Sequence, residues 1–162
     1  MIVAVISDTH MPRGPRRLPD ACLERLTAAD AILHAGDFMT LEVLQFLQGL
    51  GPPVHAVCGN VDSRELIIGL PVQRVVAFED VRIGMVHDAG PSAGRLKRMR
   101  TRFPDAHAVV FGHSHIPLHE EQQGFQIFNP GSPTERRRSP RHTMGVARID
   151  GDSLTFELIA LD

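Results

Sequence analysis

The sequence predicts an α/β fold in which two mixed sheets pack together with helices outside, and three features carry that prediction. The first half alternates short apolar runs with helical patterns, the second half strings strand-like runs between turns, and the early runs are apolar at every position. A run without a polar face suits a strand covered on both sides. Strands and helices alternating at this spacing argue a parallel sheet with right-handed crossovers.

IVAVI (2–6) is β-branched, bounded by a polar loop, and expected as a central strand. Asp20 can cap a short helix over ACLERLTAA, AILHA (31–35) is a second buried strand, and Thr40 can cap a helix over LEVLQFLQGL ending near Gly51. PPVHAVC (52–58) supplies the third strand. VQRVVAFED and VRIGMVHD then meet at a turn around Glu79 and Asp80, so the chain changes to a hairpin. A basic helix over roughly 92–103 leads to AHAVVFG (106–112). QQGFQIF, TMGVARID and SLTFELIAL follow, with DGDS a hairpin turn between the last two. NPGSPTERRRSPRH resembles a linker but is too short to separate domains.

At 162 residues the chain suits one domain over 1–162 with a full core. An apolar share of 43%, a charged share of 22% and a net charge of −2 predict no pull toward nucleic acid or membrane. The chain holds no Trp or Tyr, and its Phe residues lie mostly inside apolar segments, so no base-stacking platform is expected. Cys22 and Cys58 make no CxxC spacing, which points to a reducing cytoplasm. No stretch approaches the ~18 apolar residues of a spanning helix, and the terminal MIVAVISDTH has no basic region ahead of its short apolar run, so neither export nor anchoring is expected.

Polar residues recur where strands end. SDTH follows the first strand, HAGD the second, CGNVD the third, MVHD the hairpin's second arm and FGHSH the strand after the basic helix. Strand carboxyl ends are where α/β folds deliver functional groups, so Asp8, His10, Asp37, Asn60, His87, His113 and His115 form a candidate ligand set. Taken singly each has a plainer reading. Asp8 or Asn60 serves as a turn or capping residue, His87 as a satisfied histidine, and His113 with His115 as a surface pair. The weight lies in their order, each stretch following an apolar strand. Carboxylate, amide oxygen and imidazole without thiolate suit Mn, Fe or Zn, and a carboxylate can bridge two ions ~3.5–4 Å apart. With one bridging Asp, two six-coordinate ions would keep about four positions for water and substrate, the mark of a catalytic site. His34 can orient a ligand from beside the Gly36-Asp37 turn, and Asp62 can orient His10 or a ligand from behind. His55, His107, His119 and His142 read as structural or solvated.

D-x-H (8–10), G-D (36–37), G-N (59–60), His87 and G-H-S-H (112–115), in that order, resemble the motif series of the calcineurin-like metallophosphoesterases over nearly the whole chain. GNxD at the third motif, small size and NPGSP (129–133) make it most similar to the compact YfcE-like phosphodiesterase branch. The resemblance implies a four-layer α-β-β-α sandwich around two divalent ions, manganese first, with iron, zinc or nickel as alternatives. It implies Asp8, His10 and His115 on one ion, Asn60, His87 and His113 on the other, and Asp37 between them. The expected reaction is attack of a bridging hydroxide on a small or exposed phosphoester, most simply a diester. Many family members carry a histidine after the Asn as acid for the leaving group, and here Val61 stands in that place. Asp88 follows His87 where glycine is commoner. Arg13, Arg16 and Arg17 beyond the first motif, and Arg136, Arg137 and Arg138 beyond NPGSP, are placed to reach a phosphate, Arg13 and Arg136 foremost. The alternative is a non-catalytic metal-binding scaffold for protein interaction, since one retromer subunit resembles this fold. A homo-oligomer is compatible with either reading.

Overall fold

The computed structural model describes residues 1–162. Strand β1 (Ile2–Ile6) pairs in parallel with β2 (Ala31–His34), Val3 opposite Ala31 and Ile6 opposite His34. Strand β3 (Val54–Ala56) adds in parallel on the far side of β2. Helix α1 (Asp20–Ala28) makes the first crossover and α2 (Leu41–Gln48) the second. Asp20 is not the cap of α1: Pro19 holds that position, and Asp20 lies in the first turn, where its charge still suits the helix dipole. Thr40 does cap α2 by position, yet its hydroxyl makes no capping bond.

A short helix, α3 (Arg64–Gly69), then leads into the hairpin of β4 (Gln73–Phe78) and β5 (Val81–Val86), which turns at Glu79 and Asp80. Helix α4 (Arg95–Arg102) returns the chain to β6 (Ala108–Val110), parallel to β5. Strand β7 (Leu118–Gln122) pairs antiparallel with β8 (Phe125–Asn129), and β8 lies parallel to β6. The last hairpin, β9 (Thr143–Asp150) and β10 (Ser153–Ala160), goes back to the first sheet, where β9 runs antiparallel to β1. The strand orders are β10-β9-β1-β2-β3 and β4-β5-β6-β8-β7.

The alternation of side chains along each strand assigns the layers. From β1, Val3 and Val5 face inward and meet Ile83, Met85, Val110 and Phe128 of the second sheet. Its other residues, Ala4 and Ile6, face Cys22, Leu26, Val43 and Leu47 of α1 and α2. On the outer side of the second sheet, Met99 of α4 and the adjoining Phe103 pack on Val109, Phe125 and Ile127. The result is the four-layer α-β-β-α sandwich that the motif series implied. No helix is long and apolar enough to cross a membrane. Strands β1, β2 and β3 run one way in one sheet, β5 and β6 are parallel in the other, and the loops from both sets of carboxyl ends meet across the sandwich edge, where His87 Nδ1 lies 2.7 Å from Ala35 O and His113 N donates to the Asp8 carboxylate at 3.0 Å.

Candidate metal centre

The loops that leave these strands are tightly wound. Asp8, His10, Asp37, His113 and His115 all adopt positive φ, at 58°, 46°, 61°, 72° and 61°. For a residue with a Cβ this conformation costs on the order of 1 kcal/mol or more and persists only where surrounding bonds impose it. Those bonds are present. His10 N donates to Asp37 O at 3.0 Å, and His113 N donates to the Asp8 carboxylate at 3.0 Å and 3.2 Å. Ser7 Oγ also donates to that carboxylate, at 2.7 Å. Glycines permit the approach: a Cβ at Gly112 would collide with Ser7 Oγ and Asp8 Oδ2, and one at Gly59 with Asp37 Oδ1.

The side chains gather as two triads. Asp8, His10 and His115, all buried, bring one ligand atom each within 4.8 Å of one another, and Asp37, His87 and His113 do the same. Asn60 Oδ1 sits 3.0 Å from His87 Nε2 and 3.1 Å from His113 Nδ1. Asp37 Oδ2 lies on the seam, 3.1 Å from His87 Nε2 and 3.5 Å from His10 Nε2. Thus the seven residues read from the strand ends are brought together.

Two imidazoles are oriented by backbone carbonyls. His87 Nδ1–H donates to Ala35 O at 2.7 Å and His115 Nδ1–H to Glu135 O at 2.5 Å, so each turns its Nε2 toward the carboxylates. Metal-ligating histidines are commonly held in this manner. Both ring nitrogens of His10 and Nε2 of His115 are buried without a hydrogen-bond partner. Burial opposes charge on His10, but Asp37 and Asp8 outweigh it and hold its pKa up at about 9. Asp37 is likewise opposed by burial, yet His10 and His87 hold its carboxyl well below the usual carboxylate range. For His87, Asp37 and Asp8 overcome burial and raise the pKa, whereas burial prevails at His115 and lowers it. Buried carboxylates interleaved with unpartnered imidazole nitrogens are a donor set for cations. An oxygen and nitrogen set without thiolate fits divalent transition ions.

His34 and Asp62 support this layout from behind. Gly36 N donates to His34 Nδ1 at 3.1 Å, which leaves Nε2–H for Thr9 Oγ1 at 3.1 Å, and the ring stacks on Phe38. The histidine therefore ties the turn before Asp37 to the residue between Asp8 and His10. Asp62 does not orient His10. Its carboxylate accepts instead from the backbone N–H groups of Asp37, Met39 and Gly59 at 3.1, 2.9 and 2.7 Å.

The arginines named for a phosphate differ in placement. Arg13 is exposed, and Arg136 spends its guanidinium on Ser139 O, so neither is bonded to a candidate ligand. Arg16 and Arg137 come nearer: Arg16 pairs with Glu135 at 2.7 Å, and Arg137 Nη1 donates to His113 O at 3.4 Å. Glu135 was not singled out in the sequence. Besides accepting from His115 through its carbonyl, it brings Oε2 to 3.5 Å from His10 Nδ1. The signal was NPGSP itself: Ser132 Oγ donates to Asp8 O at 2.8 Å and Thr134 Oγ1 to Thr9 O at 2.5 Å, which folds the loop onto the first motif.

Comparison with known proteins bears on this arrangement. The family model described as "Calcineurin-like phosphoesterase superfamily domain" matches residues 1–152. A protein of Methanothermobacter thermautotrophicus named "Probable metallophosphoesterase" is 35% identical over 161 residues, covering 98% of this chain and 92% of that one. "Phosphodiesterase MJ0936" of Methanocaldococcus jannaschii is 23% identical over 144 residues, 81% of this chain and 83% of its own. Among solved structures, wild-type Vps29 of Entamoeba histolytica complexed with Zn2+ is similar in fold, with a TM-score of 0.79 at 24% identity over 100% of both chains.

Proposed function

The chain belongs to the calcineurin-like phosphoesterase superfamily, and from that premise we propose that it is a metal-dependent phosphodiesterase, one domain over residues 1–162, hydrolysing a small or exposed phosphoester in the cytoplasm. The observation that carries this reading is the pair of triads, the first wholly buried and with unpartnered nitrogens on His10 and His115, the second buried except at His113. Asp8, His10 and His115 would hold one divalent ion, Asn60, His87 and His113 the other, and Asp37, 3.1 Å from His87 and 3.5 Å from His10, would be shared. Manganese is the first choice, with iron, zinc and nickel compatible with the same donors. Bound there, two such ions supply positive charge for the phosphoryl oxygens and acidify water to give the nucleophile.

The chain's own part is to hold these donors in strained, pre-set positions and to keep their carboxylates dry. Hydrolysis forms one P–O bond from water and breaks the ester P–O bond. The residue after Asn60 is Val61, which has no proton to give the departing oxygen, so esters of acidic leaving groups should be hydrolysed fastest. Unpartnered imidazole nitrogens in the interior argue for a bound ion, and turnover by the loaded protein separates the enzyme from a metal-binding scaffold.

The test is to strip the protein with a chelator, reload it with Mn2+, and follow bis-p-nitrophenyl phosphate while measuring metal per chain. We expect two ions per chain and turnover only in the loaded form. Undiminished turnover after exhaustive chelation would overturn the proposal.

A further inference from the structure

A groove of about 320 Å³ adjoins the candidate metal centre. Its lining includes Asn60 and His87 from the donor set together with Ile67, Val72 and Val86, with Arg102 and Asp88 contributing one charge of each sign. Helix α3 buries only Leu66. Its other apolar side chains stay in water: Ile67 is 52% and Ile68 74% exposed, while Val61 and Val72 on the flanking loops are 42% and 64% exposed. Isolated exposed aliphatics are ordinary, but Ile67 and Val72 share the wall of one groove beside a site for a charged group, a surface that suits an apolar ligand.

We propose that this groove receives the apolar substituent of the ester, so that the substrate is an amphiphilic phosphoester with its phosphoryl group at Asn60 and His87 and an alkyl or aryl group against Ile67 and Val72. The proposal rests on the phosphoesterase reading and specifies its substrate. A small molecule is favoured over a protein because the donors themselves line the groove, so a group lodged there is already next to the reacting phosphorus. The volume falls in the range of small-ligand pockets and equals roughly ten water volumes at ~30 Å³ each. A stable protein interface needs about 800 Å² per partner. Apolar lining with a few polar groups is also the usual anatomy of a small-ligand site.

The test compares methyl p-nitrophenyl phosphate with hexyl p-nitrophenyl phosphate on the Mn2+-loaded protein. Both release p-nitrophenolate, so leaving-group chemistry is constant. A fully buried methylene is worth about fourfold, and partial burial of five should raise kcat/KM for the hexyl ester on the order of tenfold. In Ile67→Asp and Val72→Ser, each checked for an unchanged thermal transition, the hexyl-to-methyl ratio should fall toward one. Independently of turnover, hexylphosphonate titrated into the protein reloaded with diamagnetic Zn2+ should shift the methyl resonances of Ile67 and Val72 saturably, and unmoved resonances would overturn the groove. Hydrolysis of both esters at equal kcat/KM, or a ratio that both variants leave intact, would overturn the groove and spare the phosphoesterase reading. Hydrolysis of neither ester would overturn both. A preference arising only above the critical micelle concentration would overturn it in favour of a lipid surface. A concentration-dependent dimer abolished by Ile68→Asp would overturn it in favour of a second copy of the chain.

Discussion

His115 is fully buried whereas the side chain of His113 is 45% exposed, although a single residue separates them. Positive φ at both turns the imidazoles apart, one toward Asp8 and the other toward Asn60 and Asp37. His113→Ala and His115→Ala should therefore each lower metal content from two ions per chain toward one, remove most diesterase activity and leave the fold intact; unchanged metal content in both would make the pair decoration. Glu135→Gln keeps the carbonyl that accepts from His115 but weakens the carboxylate facing His10. Metal affinity should fall about 10- to 100-fold, read by titrating the ion into the metal-free protein, with parental affinity the contrary result. Val61→His, beside Asn60, should flatten the dependence of kcat on leaving-group pKa if chemistry limits the rate, whereas an unchanged slope would show that the position cannot deliver a proton. The donors were legible because Asp, Asn and His stood after apolar runs. Glu135 was not, since it lies among arginines in a loop and its carboxylate meets residues distant in sequence, 119 positions away at Arg16 and 125 at His10.

The elements that sequence reasoning found are those with an unbroken apolar run or a clear turn. Strands β1 and β2 are buried at nearly every position, and both hairpins turn where Glu79-Asp80 and DGDS predicted. Helix α3 was missed because its six residues bury only Leu66 and give no helical period. Strand β7 was missed because LHEEQ sits at a sheet edge with its last four residues exposed, so nothing alternates. The basic helix, expected over roughly 92–103, begins only at Arg95, after Gly94 in a left-handed conformation. Between β3 and α3, Asp62 joins the ends of two parallel strands by accepting from Asp37, Met39 and Gly59. Removing the carboxylate strands these N–H groups together. Asp62→Ala should cost on the order of 3 kcal/mol, seen as a lower denaturant midpoint at constant m-value; a shift under 0.5 kcal/mol, the usual size of a surface change, would show that water replaces it without loss.

At the scale of the whole molecule, the sandwich buries a titratable group where charge cannot be hydrated. His34 ends β2 at the junction of the first sheet and the donor loops, is 0% exposed, and burial pushes its pKa from 6.5 down to about 3. Its Nδ1 already accepts from Gly36 N, so a proton there would break that bond as well as charge the interior. Above pH 6.5 the histidine is neutral in both the folded and the unfolded chain, and its contribution to stability is fully present. As pH falls from 6.5 toward 3, the unfolded chain binds a proton that the folded chain refuses, so stability is lost across that window. The slope approaches one proton, about 1.4 kcal/mol per pH unit. His34→Gln keeps an acceptor for Gly36 but cannot titrate. Denaturant unfolding of the metal-free protein between pH 6.5 and pH 4 should thus show a slope lower by about one proton in His34→Gln than in the parent, while carboxylates such as Asp37 titrate alike in both and cancel. Parallel curves would mean that His34 takes up its proton in the folded state, and that the junction behind the donor loops opens to water before the sheets separate.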